Sequence, residues 1–302
     1  MDSFRLFLDS NSELSFSFLI GNLTLQLYDR PAYNTDPLDS RFVDESGNLQ
    51  TEIDQYRRFE NTLGLRGFYE LNLFNLDFHL SRYDEIPDSD NFEFRRQDET
   101  IFQLRGSRPV ASNFSVGLGT SYSDRNSDRG VLNNATSWSA GPFFTWDYSE
   151  YLRFSGAVNW VNSEFSRGGT IQDNSDQNSV NYSLEIRHFL NSYYTHRLAL
   201  RQNTSYGFLT NSRDTFTATY TNTLSINEKT NLNGTFRYED GDDSPGQFAE
   251  SFDRYSIQLR MNRDIGPRTK VSINGAIIDK QSNREGLSYN SFRLGIELEY
   301  DF

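Results

Sequence analysis

The sequence predicts an all-β fold, a transmembrane antiparallel up-and-down β-barrel of about 14–16 strands laid out as one domain over residues 1–302. Three observations point that way. Apolar residues recur at every second position through most of the chain, the pattern of strands whose two faces meet different solvents. Short turns alternate with long polar loops from one end to the other. The chain is also poor in the aliphatic residues that a solid core consumes. Hydrophobic residues make up 35% of the sequence, against a usual share of roughly 45–50%. Aromatics nevertheless reach 15%, with 25 Phe and 17 Tyr. A thin outward band of aromatic and aliphatic side chains around a polar interior has that composition.

In chain order, Phe4, Leu6 and Leu8 form a first short run, broken by Ser10, Asn11, Ser12 and Glu13. Leu14, Phe16, Phe18 and Ile20 follow on even numbers, then Leu23, Leu25 and Leu27 on odd ones, so Gly21-Asn22 is either a two-residue hairpin turn or a bulge in one long strand. Residues 30–50, with Pro31 and Pro37, read as a long polar connection. A strand through Phe59, Leu63, Leu65, Tyr69, Leu71 and Leu73 turns near Phe74-Asn75 and returns through Leu76, Phe78 and Leu80. Phe92, Phe94, Phe102 and Leu104 resume the alternation, residues 107–112 turn it, and Phe114, Val116, Leu118 and Tyr122 climb back to a loop over 124–134.

The same unit then repeats. Trp138, Phe144 and Trp146 lead out, and Leu152, Phe154, Val158 and Trp160 return. Val180, Tyr182, Leu184 and Ile186 precede a turn near Asn191, with Leu198, Leu200 and Tyr206 beyond it. Phe216, Ala218, Tyr220, Leu224 and Ile226 pair with Leu232, Phe236 and Tyr238. Tyr255, Ile257, Leu259 and Met261 turn at 264–267 into Val271, Ile273 and Ile277. The last strand sets Phe292, Leu294, Ile296, Leu298, Tyr300 and Phe302 on one face and Arg293, Gly295, Glu297, Glu299 and Asp301 on the other. The hairpins share no fixed sequence period, which excludes a solenoid.

That final strand, alternating to a C-terminal Phe302 with Tyr300 two residues before it, resembles the terminal strand of bacterial outer-membrane β-barrels, which their assembly machinery reads as a signal. Over most of its length the chain resembles the porin-like outer-membrane barrels, the group of β-barrel porins of which some are associated with exopolysaccharide secretion. The resemblance implies short periplasmic turns, long extracellular loops and residence in the outer membrane of a Gram-negative bacterium. As partners it implies membrane lipid and lipopolysaccharide, the barrel-assembly machinery, and a homo-oligomer or a plugging protein. The function it implies is passive diffusion of small polar solutes or ions through a channel. The alternative is a structural or export barrel, occupied by a partner or threaded by polysaccharide.

The rest of the composition fits. No run of 18 apolar residues exists, so no membrane-spanning helix is expected. Residues 1–20 lack the basic start and apolar run of a signal peptide, so Met1 reads as the start of a mature or recombinant form. The chain has no cysteine, which suits an oxidising periplasmic route. A net charge of −13 argues against nucleic acid as a partner. Acidic blocks at Asp84-Glu85, Asp88 to Asp90 and Asp240 to Asp243 read as solvated loops.

If the apolar parity faces lipid, the other lines the lumen. The candidate pore-lining residues are Arg58, Arg66, Glu70, Arg95, Arg105, Arg153, Glu185, Arg187, Arg197, Arg201, Arg237, Arg260, Arg293 and Glu297. So many charges exclude a dry core, because each unpaired buried charge costs several kcal/mol. The interior is therefore wet or densely ion-paired, and a barrel of about 16 strands is wide enough for a water channel. At 0.15 M salt the Debye length is ~8 Å, so acidic loops bias only the mouth, toward cations at low ionic strength.

Catalysis and metal binding have weaker support. Of three histidines, His79 shares a parity with Asp77 and Ser81, but same-face neighbours on a strand are ~7 Å apart, too far for a hydrogen-bonded relay. His188 and His196 flank a turn beside Tyr193 and Tyr194. The acidic blocks lack the spacing of a calcium loop. The sequence thus carries no catalytic residues, cofactor or metal site.

Overall fold

Alternation becomes a single meander. The computed structural model describes residues 12–37, 55–128, 130–171, 173–207 and 209–300. The run Phe4 to Leu8, most of the connection that follows Pro37, and Phe302 lie outside these residues. Fifteen strands form one sheet in chain order, every neighbour antiparallel. They are β1 (Leu14–Ile20), β2 (Leu23–Pro37), β3 (Gln55–Glu70), β4 (Asn75–Pro87), β5 (Gln97–Ala111), β6 (Phe114–Ser127), β7 (Ala135–Asp147) and β8 (Leu152–Phe165). The series continues with β9 (Gln177–Phe189), β10 (Tyr194–Ser205), β11 (Arg213–Asn227), β12 (Thr230–Asp243), β13 (Ser251–Gly266), β14 (Thr269–Ser282) and β15 (Tyr289–Tyr300).

Register sorts the side chains as the parity argument requires. Phe114, Trp146, Phe154, Ile186, Leu198, Tyr220 and Phe236 follow one another across seven strands on one face. That face carries the exposed large apolar side chains, among them Trp138, Trp160, Tyr182, Leu259 and Leu294. Such a continuous apolar surface is far beyond what a protein in water displays.

Among the described residues β1 pairs only with β2 and β15 only with β14, so the sheet does not close on itself. The count of fifteen falls inside the expected range but is odd, where an even number was expected. Side chains on the two unpaired edge strands are correspondingly bare, with Leu294 of β15 68% exposed.

Gly21-Asn22 is a hairpin turn, since Ile20 faces Leu23 and Gly21 takes φ 59°, the positive value demanded at the first position of a II′ turn. Connections of two to four residues at one end alternate with connections of six to eleven at the other for every hairpin after β3 begins.

Four boundaries differ from the sequence reading. Residues 30–37 are not a loop but the end of β2, paired with Gln55 to Thr62. Beyond Asp29, β1 offers no partner, so this part of β2 is an edge, where a proline's missing N–H costs no ladder bond. Likewise β5 runs through Pro109, which sits at a register shift next to the turn.

The acidic blocks are largely strand ends. Glu85 is buried at the end of β4, where it accepts hydrogen bonds from Tyr56, Tyr83 and Gln97, and Asp243 in β12 binds Arg213 at 2.5 Å. Finally, Phe92 and Phe94 belong to no strand. They lie in a 3-10 helix, Asp90–Arg95, and both are buried.

Candidate functional site: a charged concave face under a roof of loops

The face opposite the apolar one is lined with ion pairs. Thirteen of the fourteen candidate residues lie on strands of this face: Arg58, Arg66 and Glu70 in β3, Arg105 in β5, Arg153 in β8, Glu185 and Arg187 in β9, Arg197 and Arg201 in β10, Arg237 in β12, Arg260 in β13, and Arg293 and Glu297 in β15. Glu185 sits between Arg187 at 3.1 Å and Arg197, and Glu239 between Arg237 at 2.5 Å and Arg254 at 2.8 Å. Arg260 meets Glu297 at 3.1 Å, Arg58 meets Glu60, and Arg153 meets Asp147. Arg66 lies 4.1 Å over the Tyr28 ring and Arg105 lies 4.2 Å over that of Phe143. Among the described residues Arg201 has no acidic partner.

The fourteenth, Arg95, is in the 3-10 helix. It donates to the carbonyl of Gly207, which follows β10, at 3.2 Å. Six strand spacings separate β4 from β10, about 29 Å along the sheet at ~4.8 Å each. Contact between their loops therefore has to cross the concave side. Tyr206 makes the same crossing: its hydroxyl reaches Glu99 at 3.3 Å and Ser123 at 3.4 Å, and the Arg125 guanidinium lies 3.7 Å over its ring. Burial, then the Glu99 carboxylate, pushes the Tyr206 phenol up, so it stays a neutral donor.

The long connections thus fold inward into a roof with its own small core. Tyr56, Phe92, Phe94, Leu132 and Ile171 pack together, with Val131 and Leu209 against them. Beside this core a polar latch joins four loops. Asp173, 1% exposed, accepts from the Asn211 backbone at 2.8 Å and from the hydroxyls of Ser244 and Ser175. Its backbone carbonyl accepts from Asn133 at 2.9 Å, and Asn133 also donates to Asn211 at 2.9 Å. Burial opposes ionisation of Asp173, yet the bonds from Ser175, Ser244 and Asn211 hold its carboxyl below the usual range.

Sequence reasoning placed Tyr206 on the outward face and missed the roof. Parity governs only paired residues, and Tyr206 comes after β10 ends at Ser205. The closely spaced Phe92 and Phe94 copied a strand pattern over a single helical turn.

The His79 ring is hydrogen-bonded to Tyr28, which is fully buried against Gly64, rather than, among the described residues, to Asp77 or Ser81. His188 and His196 face each other across β9 and β10 at 2.8 Å, with Tyr194 and Tyr220 beside them on the apolar face near the short turns.

No protein-family model matches the chain, and no curated protein matches it. Solved structures do. The FrpB iron transporter from Neisseria meningitidis, F5-1 variant, superposes with a TM-score of 0.61 at 8% identity, over 96% of this chain and 57% of that one. The copper transporter OprC gives 0.59 at 10% identity, over 95% and 55%. The alcaligin outer-membrane receptor FauA from Bordetella pertussis gives 0.55 at 11%, over 95% and 56%. The chain spans a little over half the length of each of these proteins. The fold is that of the outer-membrane β-barrels.

Proposed function

We propose that the chain is an outer-membrane transport barrel that passes small polar solutes or ions along its charged inner face, beneath a roof that restricts access from the long-loop end. The observation that carries this reading is the division of the sheet into an apolar face and a face of charged and hydroxylated side chains. Only a wall between lipid and water calls for both.

Among the described residues no helix is long and apolar enough to cross a membrane, so a crossing is made by strands. Lipid contacts the apolar face, with Trp138, Trp160 and Tyr300 in its aromatic belts, and lipopolysaccharide surrounds the long-loop rim. That known proteins of this fold include iron and copper transporters supports passage of solute rather than chemistry on it.

In this mechanism the chain's own residues do three things. Paired arginines and carboxylates keep the wall wet without a strong field. The roof core excludes large solutes. Movement of the roof about its latch, or the gaps around it, sets the flux.

The test is single-channel recording of the purified protein in planar bilayers. The intact chain is expected to give small steps, and a Phe92→Ser, Leu132→Ser double variant, which loosens the roof core, larger ones. Silence from both would overturn the channel reading. It would favour the second reading, a barrel completed by a partner, for which the unpaired edges of β1 and β15 speak.

A further inference from the structure

We propose that a groove along β9 to β12 binds hydroxylated carboxylates of the sugar-acid kind. This rests on the reading of the concave face as a water-filled lumen. The groove measures about 720 Å³ and follows β11 down from below the roof. Its size is within the range of small-molecule sites.

Its floor is a column of hydroxyls. Thr215, Thr217, Thr219 and Thr221 occupy alternate positions of β11, about 6.8 Å apart, and each both donates and accepts. The buried Ala199 opposite Thr219 keeps the floor low. Asn181 and Asn203 add amides on one side. A column of neutral donors and acceptors suits a polyhydroxylated chain.

The charge comes from two guanidiniums. Arg201, directly opposite Thr217, has no acidic partner among the described residues. Arg197 is tied to Glu185 through one nitrogen, while its Nε is buried and has no acceptor. Both guanidiniums line the groove, and a carboxylate is the natural acceptor for such a fork. Of the other lining cations, Arg213 is paired with Asp243 and Glu250, while Arg237 shares Glu239 with Arg254. Glu185 is likewise shared by Arg187 and Arg197, so with Arg201 the groove wall carries a positive surplus that favours an anion.

Equilibrium dialysis of the folded, detergent-solubilised protein against labelled gluconate, glucose and propanoate separates the two elements of recognition. Gluconate is expected to bind at least tenfold more tightly than either control. Arg201→Gln should bring it down to the glucose level, and Thr217→Val with Thr219→Val down to the propanoate level. Equal binding of all three solutes, or an unchanged gluconate affinity in a folded Arg201→Gln protein, overturns the proposal. Conductance is recorded separately: steps without gluconate binding sink the site alone, and gluconate binding without steps sinks the channel reading alone.

Discussion

Asp173 shows how much of the roof depends on single acceptors. It serves four donors from three loops, so Asp173→Ala leaves the Asn211 and Ser175 amides and the Ser175 and Ser244 hydroxyls without their partner. Each buried group left unpaired costs ~1–3 kcal/mol. Amide hydrogen exchange over residues 206–212 is expected to rise about tenfold for every ~1.4 kcal/mol lost, with the strands unchanged. If exchange in the strands rises equally, the latch stabilises the sheet rather than the roof. The pH dependence follows from the depressed carboxyl. Its contribution is fully present above the ordinary value of 3.8 and is lost as pH falls through the lower folded value. Roof exchange corrected for intrinsic rate should therefore be flat from pH 8 to pH 5 and increase only below about 4. None of this was legible in the sequence. Asp173, Asn133 and Asn211 sit in polar loops without period, and their roles arise only when the curved sheet brings distant loops together.

Strands were the legible level, because a period of two is imposed locally by the backbone and survives without knowledge of the partner. Their ends were not. Pro31 and Pro109 looked like breakers, yet one lies on an unpaired edge and the other beside a bulge, positions that depend on neighbours. Two substitutions test the strands themselves. In β7 the pairing with β8 skips Gly141 and Pro142, and a Cβ at Gly141 would lie 1.8 Å from the Val158 carbonyl oxygen, which is backbone and cannot give way. At its neighbour in β6, Gly119, the nearest atom to such a Cβ is 3.5 Å away on Arg105. Gly141→Ala should destabilise the folded protein by at least ~1–3 kcal/mol in urea titrations in lipid and Gly119→Ala hardly at all. Equal effects would mean the close approach is not retained. Separately, Leu294→Arg sets a charge on the apolar face of β15 and should cost ~2–4 kcal/mol near mid-depth. Unimpaired folding in lipid would invert the assignment of faces.

At the scale of the whole molecule, the fold class followed from the sequence because alternation, turn lengths and a thin apolar composition agree. The picture of an open bore did not, because loops were treated as solvated connections. Phe92, Leu132 and Ile171 give those loops an apolar core that converges over the concave side. A wall can be read one strand at a time, whereas a roof is a property of chain segments more than 100 residues apart, such as Arg95 and Gly207. One more consequence lies in the strand count. In a meander the direction of the chain reverses at every step, so the first and fifteenth strands point the same way. Brought edge to edge they would form a parallel pair, with slanted hydrogen bonds unlike the other ladders. An antiparallel seam needs one further strand running the opposite way, from this chain or another. The chain has no cysteine of its own, so introduced pairs report cleanly. Ser121→Cys with Ser139→Cys, whose hydroxyls are 2.7 Å apart, should oxidise readily. Ser17→Cys with Ser291→Cys or Gly295→Cys should stay reduced, since a disulfide needs Cα atoms within about 7 Å. A bond forming there would mean that the two like-directed edges abut, and that the seam is the one parallel joint in an otherwise alternating wall.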